Sequence, residues 1–475
     1  MSVNPWLAKK LEGLHSPPTV GLLVEVDDIT RLEEVRGLLS ALPGVSVGRA
    51  AFNMLNVTAP PAVVQAIGAI PHVTVHYNAP MGVKWLGLPD PPFISDPLVG
   101  QFRLSAVTVP FTPQQMAASF GPQLAVGAAS FPFRMAAQLL RVKTPLAELH
   151  DPDVVIIPTG DVRKLLELPS YNKTTKTKVA VLDTGLSPLH PLLHPTKGLM
   201  PIQSVVASVP WDVMGHSTWV TTAGFGDSFW TRFGECQGVA DPENGTLGSW
   251  KVTNDMGFGD VASTIAGIEA AHKWGAKIIN LSLGGELQGS VEDDPVCRVI
   301  KQLKDEIIFV CAAGNDGPDP WTISNPGASP HVITVGSWST YYNGLSFFSA
   351  RGPNGRWYVT RGGRSHRDFV TYGDNMVKPD VLAPGGGPVI DGDPMDVLFS
   401  GVVGYLDGLY DYSPLDMFGA LRGTSMACPL AAGVIALAVE NGLVKTASDV
   451  KKKMARFGRK DTGVGYGIIT YKKLR

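Results

Sequence analysis

The chain is poor in several features that would settle its class at once. Among 475 residues there are only four cysteines, Cys236, Cys297, Cys311 and Cys428. They are scattered, with no CxxC pair and no zinc-ligand spacing, so free buried thiols are expected ahead of a disulfide. No run of about 18 apolar residues occurs, which excludes the usual transmembrane helix. The opening MSVNPWLAKKLEGLHSPP has no apolar h-region and no small-residue cleavage site. A standard secretory signal is therefore not expected. The expectation is a soluble protein, cytoplasmic at synthesis, with intracellular use, non-standard export or packaging in a larger particle as its destinations. Neither charge sign is in excess: the net charge is -2. Bulk attraction to nucleic acid or to acidic membranes is not expected.

What is present suits a globular protein of two or three folding units. The apolar fraction is 44%, and 53 glycines and 38 prolines supply many turns. Residues 1–18 read as a polar arm. TVGLLVEV then reads as a strand, and ITRLEEVRGLLSAL as a helix with Leu32, Val35, Leu38 and Leu39 on one face, stopped by Pro43-Gly44. VSVGRA and FNMLNVTA alternate as a strand pair, PAVVQAIGAI opens with a helix-starting proline, and HVTVHY is a last strand. That order is a split βαβ unit of the ferredoxin-like kind within residues 19–80. Residues 81–150 are rich in Pro, Phe and Ala and take no role from the sequence.

From about 151 to 475 strands and helices alternate. KVAVLD, KIINLSL, EIIFVCAAG and HVITVGS are short continuous apolar runs, as expected for strands buried on both faces of a parallel sheet. VASTIAGIEAAHKWGA is a helix that stops at Gly275. The layered α/β arrangement places functional groups beyond the carboxyl ends of the strands.

Those ends carry chemistry. Asp183 closes KVAVLD; alone it reads as a turn-forming aspartate. His216 lies in GHSTWV; alone it is an ordinary histidine. Together they permit a base held in one tautomer by a carboxylate. Ser425, in RGTSMACPLAAGVIALAV, stands where a helix of small residues begins. It is either a helix cap or a nucleophile whose own N–H can bind an oxyanion. Pro429 is expected to distort that helix locally. Asn315, in FVCAAGNDG, offers a side-chain amide as a second oxyanion donor.

In the order Asp, His, Asn, Ser, these motifs over residues 155–470 resemble the subtilisin-like serine proteases, or subtilases. VAVLDTG, GHSTWV, INLSLGG, AAGNDG and GTSMACP are similar to the family's Asp, His, substrate-strand, oxyanion and Ser motifs. The resemblance implies a three-layer fold with a mostly parallel central sheet, preceded by a small α+β ferredoxin-like inhibitory prodomain. It implies a serine endopeptidase in which Asp183 orients His216, His216 is the general base, and Ser425 forms an acyl-enzyme. Asn315 and the Ser425 N–H would hold the oxyanion. Ser282, Leu283 and Gly284 would pair with an extended substrate. Ala312, Ala313 and Gly314 would wall a pocket roomy enough for a large apolar or aromatic side chain before the cut. Asp316 at its rim is read as a solvated loop residue. Polypeptides and the chain's own prodomain are the implied partners. No cofactor is needed for the chemistry, although structural calcium is common in the family.

Two positions depart from the pattern. His216-Ser217-Thr218-Trp219 stands for His-Gly-Thr-His, and Pro429-Leu430 for Pro-His. Residues 386–420 also form a longer connection than usual. His190 and His194 have the spacing of metal ligands, but Pro191 between them argues against a helix. Glu292, Asp293 and Asp294 have the oxygen chemistry of a calcium site, with a solvated turn as the expected reading. Self-cleavage is expected after Tyr77, with a cut near 145–155 as the rival. The competing functional class is a catalytically silent protein of the same fold. An α/β-hydrolase is disfavoured because Ser425 sits in GTSMA and not in GxSxG. A sedolisin-type acid protease is disfavoured because the histidine is present.

Overall fold

The structure of the protein is a computed structural model. It describes residues 19–82 and 154–475 apart from 170–173, 189, 194–200, 207–208, 232, 256, 286, 288–289, 354–355, 360–364, 369–376 and 403–416. The expected arm, nearly all of the 81–150 segment, His194 and residues 145–153 of the rival processing region lie outside the described residues.

The N-terminal unit runs β1 (Val20–Val26), α1 (Leu32–Ser40), β2 (Ser46–Ala51), β3 (Met54–Ala59), α2 (Val64–Gly68) and β4 (Val73–Tyr77). Its strands pair antiparallel in the order β2-β3-β1-β4, which is the split βαβ arrangement. Side chains alternate along β1. Leu22, Val24 and Val26 point into the unit's own core with Val35, Leu39 and Ile67. Leu23 points the other way, into a cluster shared with the large domain. Leu38 corrects one expectation: it is 46% exposed. Successive helical residues turn by about 100°, so Leu38 leaves the stripe that Val35 and Leu39 occupy.

After β4 comes a short strand, β5 (Pro80–Gly82). The large domain then provides β6 (Val179–Asp183), β7 (Ile202–Ser204), α3 (His216–Phe225), β8 (Leu247–Lys251), β9 (Phe258–Asp260), α4 (Val261–Trp274), β10 (Ile278–Leu281) and β11 (Gly284–Gly285). It continues with α5 (Pro295–Leu303), β12 (Ile308–Ala312), β13 (Ile333–Ser339), β14 (Gly344–Leu345), β15 (Val381–Pro384) and α6 (Thr424–Glu440). The central sheet has the order β14-β13-β12-β10-β6-β8-β7, with β15 also beside β13. Every pair is parallel except β13–β14.

Both faces of this sheet are covered, which is why its strands lack polar alternation. Val179 and Val181 face the side of α3 and α6, among Trp219, Val220 and Ala431. Ala180 and Leu182 face α4 and α5, among Ile265, Ile268 and Val299. Burying one such aliphatic side chain contributes about 1.5–3 kcal/mol. The chain crosses from one half of the sheet to the other at β6, whose neighbours are β8 and β10. The carboxyl end of β6 is thus the crevice where ligands of open α/β sheets bind, and Asp183 is its last residue.

Candidate active site

Asp183 is fully buried, and its Oδ1 lies 2.8 Å from Nδ1 of His216. The same oxygen accepts the Thr184 N–H at 2.7 Å. His216 is the first residue of α3, preceded by Gly215 at φ 91, a conformation that favours glycine. A buried carboxylate on Nδ1 puts the ring proton there, which makes Nε2 the basic nitrogen.

Ser425 is the second residue of α6 and is 4% exposed. Its hydroxyl donates to the Ser282 carbonyl at 2.9 Å. In return the Ser282 hydroxyl donates to the Ser425 carbonyl at 3.0 Å. The proline four residues on explains the second bond. Pro429 has no N–H for the i→i-4 ladder, so the Ser425 carbonyl takes a side-chain donor.

Asn315 follows β12 and Gly314. Its Oδ1 accepts both the Thr424 N–H at 2.9 Å and the Thr424 hydroxyl at 2.8 Å. The amide is thereby turned with its NH2 end away from Thr424. A methyl placed on Gly423 would lie 3.4 Å from that Nδ2, so the amide lies over the Gly423–Ser425 turn. Gly423 caps α6 with no side-chain bond.

The predicted substrate strand is occupied. β5 is the middle strand of a three-stranded antiparallel sheet, β9-β5-β11. Gly82 faces Phe258 and Gly284, and Met81 faces Gly259 and Gly285. Gly284 thus pairs with the chain's own Gly82, Leu283 is buried, and Ser282 turns to Ser425. Met81 is 2% exposed and shares its cluster with Leu283, Ala262 and Ile265. Gly285 has no room for a side chain: a methyl there would lie 2.6 Å from the Pro80 carbonyl and 2.7 Å from the Met81 sulfur.

Sequence reading missed the opposite edge, Phe258–Asp260. Its signal was Gly257-Phe258-Gly259, since glycine in an extended run marks close approach of another backbone. Tyr77 pairs with Leu22 inside the N-terminal sheet, and Pro80–Gly82 lie between Phe258–Asp260 and Gly284–Gly285.

Further contacts seat the N-terminal unit. The first amides of α4, which a helix cannot bond internally, donate outward: Val261 to the Ala79 carbonyl at 3.0 Å and Ala262 to Asn78 Oδ1 at 2.9 Å. Glu25 on β1 accepts from Arg298 of α5 at 2.8 Å and lies 3.0 Å from His76 Nε2. Burial raises the Glu25 carboxyl, but the His76 hydrogen bond and the Arg298 charge outweigh it and hold the group below its usual range.

The expected pocket walls separate. Ala312 belongs to the core beneath α6, and Ala313 to a small cluster with Ile323 and Ala350. Gly314 and Gly284 flank the Ser324 hydroxyl, which would lie 2.6 and 2.7 Å from methyls added to them. Ser324 was not singled out by the sequence. Asp316 is exposed.

The remaining candidates have structural roles. His190 is buried, accepts the Leu192 N–H on Nδ1 at 3.1 Å and reaches the Met417 carbonyl with Nε2 at 2.6 Å. Asp294 is not a solvated turn residue: it is fully buried and caps α5 through the Val296 and Cys297 amides. Among the described residues, no group of three or more His, Cys, Asp or Glu is placed to share a metal ion. All four cysteines are free and buried; burial pushes the Cys236 thiol up to about 12 and Cys428 higher still, which disfavours a thiolate nucleophile. No described helix is long and apolar enough to cross a membrane.

Comparison with known proteins bears on the family and the fold. The chain is 32% identical over 297 residues to the serine protease AprX of Bacillus subtilis, covering 58% of this chain and 59% of AprX. It is 28% identical over 292 residues to subtilisin DY of Bacillus licheniformis, covering 60% of this chain and 84% of that protein. The chain thus spans about three-fifths of AprX, and only 13% of pyrolysin from Pyrococcus furiosus. The crystal structure of the epidermin leader peptide processing serine protease from Staphylococcus aureus superposes with a TM-score of 0.57. It covers 96% of this chain and 98% of that one at 17% identity, a likeness of fold. The sequence model of the subtilase family matches residues 174–464, well over half of the chain and all the elements that carry the site. By that match, and with a mostly parallel α/β sheet beneath it, the chain belongs to the subtilase family.

Proposed function

We propose that the protein is a serine endopeptidase working through Asp183, His216 and Ser425. One observation carries the reading: a peptide main chain lies as a central strand in the groove beside Ser282, and Ser282 is bonded directly to Ser425. Main-chain pairing on both edges is how a site holds an extended polypeptide of variable sequence.

In this reading the Ser425 hydroxyl attacks the scissile carbonyl. Its single proton now lies on the Ser282 carbonyl, so that bond is released before His216 takes the proton. Asp183 holds the ring in the required tautomer and stabilises the imidazolium. Asn315 Nδ2 and the Ser425 N–H donate hydrogen bonds to the developing oxyanion. In subtilisin itself, loss of the corresponding asparagine donor lowers turnover on the order of 10²–10³-fold, and the same loss is expected here. His216 then protonates the leaving amine, and water hydrolyses the acyl-enzyme. The residue before the cut is proposed to be large and apolar or aromatic, with the Ser324 hydroxyl as the polar point in its pocket.

The N-terminal unit, 19–80, is proposed as an inhibitory prodomain over a catalytic domain of 151–475, in a zymogen that processes itself. Pro80–Gly82 in the groove supports a cut beyond Gly82, which favours the region near 145–155 over Tyr77. Labelling by a fluorophosphonate, together with intact mass, tests the whole reading. Wild type is expected to label and to lose its N-terminal unit, while Ser425→Ala does neither. Absence of labelling in wild type, or a wild-type mass that differs from that of Ser425→Ala only by the substituted side chain, would refute it.

A further inference from the structure

Asp212 lies four residues before His216 and is fully buried. Five donors converge on its carboxylate. Oδ1 accepts the Gly215 N–H at 2.8 Å, the Met214 N–H at 3.1 Å and the Thr184 hydroxyl at 2.9 Å. Oδ2 accepts the Thr218 N–H and the Thr218 hydroxyl, each at 2.8 Å.

The two threonines come from opposite partners of the proposed relay. Thr184 follows Asp183 at the end of β6, and its own N–H donates to Asp183. Thr218 lies in the first turn of α3, behind His216. Each hydroxyl accepts an amide from the other element: Thr184 takes the Ser217 N–H at 3.0 Å, and Thr218 takes the Ser187 N–H at 3.2 Å. A hydroxyl that accepts from an amide has its proton left to donate, and both give it to Asp212. The result is a closed mesh in which one carboxylate ties the strand end to the helix start.

We propose that Asp212 is a positioning residue that sets the 2.8 Å contact between Asp183 and His216 by clamping the two elements that carry them. The inference rests on the endopeptidase reading above. A plain helix cap would serve only α3. Here two of the five bonds come from threonine hydroxyls that also bridge to the opposite element. Asparagine in this place has one acceptor oxygen and would turn an NH2 group toward donors. The elements could then relax by a fraction of an ångström with the core intact. Misplacement of reacting groups by about 1 Å can cost on the order of 10²-fold in rate.

The test uses the full chain after self-processing, with wild type, Asp212→Asn, Thr218→Val and Thr218→Ser compared. Turnover of a peptide nitroanilide gives kcat and KM, thermal unfolding gives the folded fraction, and a fluorophosphonate counts active sites. Asp212→Asn is expected to lose about 10- to 100-fold in kcat with KM within about twofold and the protein fully folded at the assay temperature. Thr218→Val is expected to lose kcat likewise, and Thr218→Ser, which keeps the hydroxyl, to recover it. Should Asp212→Asn fail to fold, the Thr218 pair decides alone. The inference is overturned if kcat stands within about twofold of wild type, if the loss falls on KM, or if Thr218→Ser is no better than Thr218→Val. A wild type with neither label nor turnover overturns the endopeptidase reading itself, and this inference falls with it.

Discussion

Ser282 and Ser425 are bonded to each other twice, hydroxyl to carbonyl in each direction, at 3.0 and 2.9 Å. The strand expected to hold substrate and the helix expected to supply the nucleophile are thus joined at one pair of residues. Pro429 makes the arrangement necessary, since it denies the Ser425 carbonyl its helical donor.

Ser282→Ala is therefore expected to leave a buried carbonyl unsatisfied and to cost about 1–3 kcal/mol. Chemical denaturation measures it. Adding Pro429→Ala restores a main-chain donor, so the double variant should be less damaged than the sum of the singles. Strict additivity would sink the idea.

Gly285→Ala puts a methyl against the Pro80 carbonyl and the Met81 sulfur. The β5 segment is expected to lose its seat while the large domain stays folded. Self-processing followed by intact mass should slow by at least about tenfold, a loss of roughly 1.4 kcal/mol or more in the docked arrangement. Processing at the wild-type rate would show that β5 does not lead to the cut.

Lower pH should loosen the N-terminal unit through Glu25. Its carboxyl lies below the usual range in the folded protein, held there by His76 of its own unit and by Arg298 of α5. Its contribution is therefore present above the ordinary value of 4.5 and lost as pH falls through the folded value. Hydrogen-exchange protection at β1 and β5 in Ser425→Ala, corrected for the intrinsic exchange rate, is expected to fall from about pH 6 to about pH 3.5, and Glu25→Gln to flatten that response. An identical pH response in the Gln variant would count against Glu25.

His190 gives a second pH dependence, on the stability of the large domain. Burial depresses the ring to about 4 from 6.5, with the Met417 hydrogen bond opposing. Between those values the unfolded chain takes a proton that the folded site refuses. Stability is full above about 6.5 and falls as pH drops toward 4, by up to about 3 kcal/mol. His331, half-buried, also depressed to about 4 by burial and nearby lysines, acts in the same direction. Urea melts at about pH 7.5 and about pH 4.5 check it: His190→Gln should reduce the difference, and an undiminished difference refutes the role.

The strands β6, β10, β12 and β13 were legible because burial on both faces leaves continuous apolar runs. Asp183, His216, Asn315 and Ser425 were legible as candidates because each adjoins a strand end or helix start with a short, specific motif. Phe258–Asp260 and Pro80–Gly82 were not: they pair through main chain, which imposes no side-chain period. Ser324 lies 40 residues from Gly284, and no local pattern announces that its hydroxyl fits between two glycines. Asp212 escaped because its partners, Thr184 and Thr218, flank other motifs. Leu38 was misassigned by a single step of helical phase.

The place now filled by Pro80–Gly82 has a further consequence. Whatever replaces that segment must present amides and carbonyls along both of its sides at once. A stretch inside a helix has already spent those groups, and so has one flanked by neighbours in a sheet. Only an unravelled stretch, such as a long loop, a frayed end or a denatured polymer, can enter. On the proposed endopeptidase reading, the groove would therefore sort its clients by their disorder before any side chain is read.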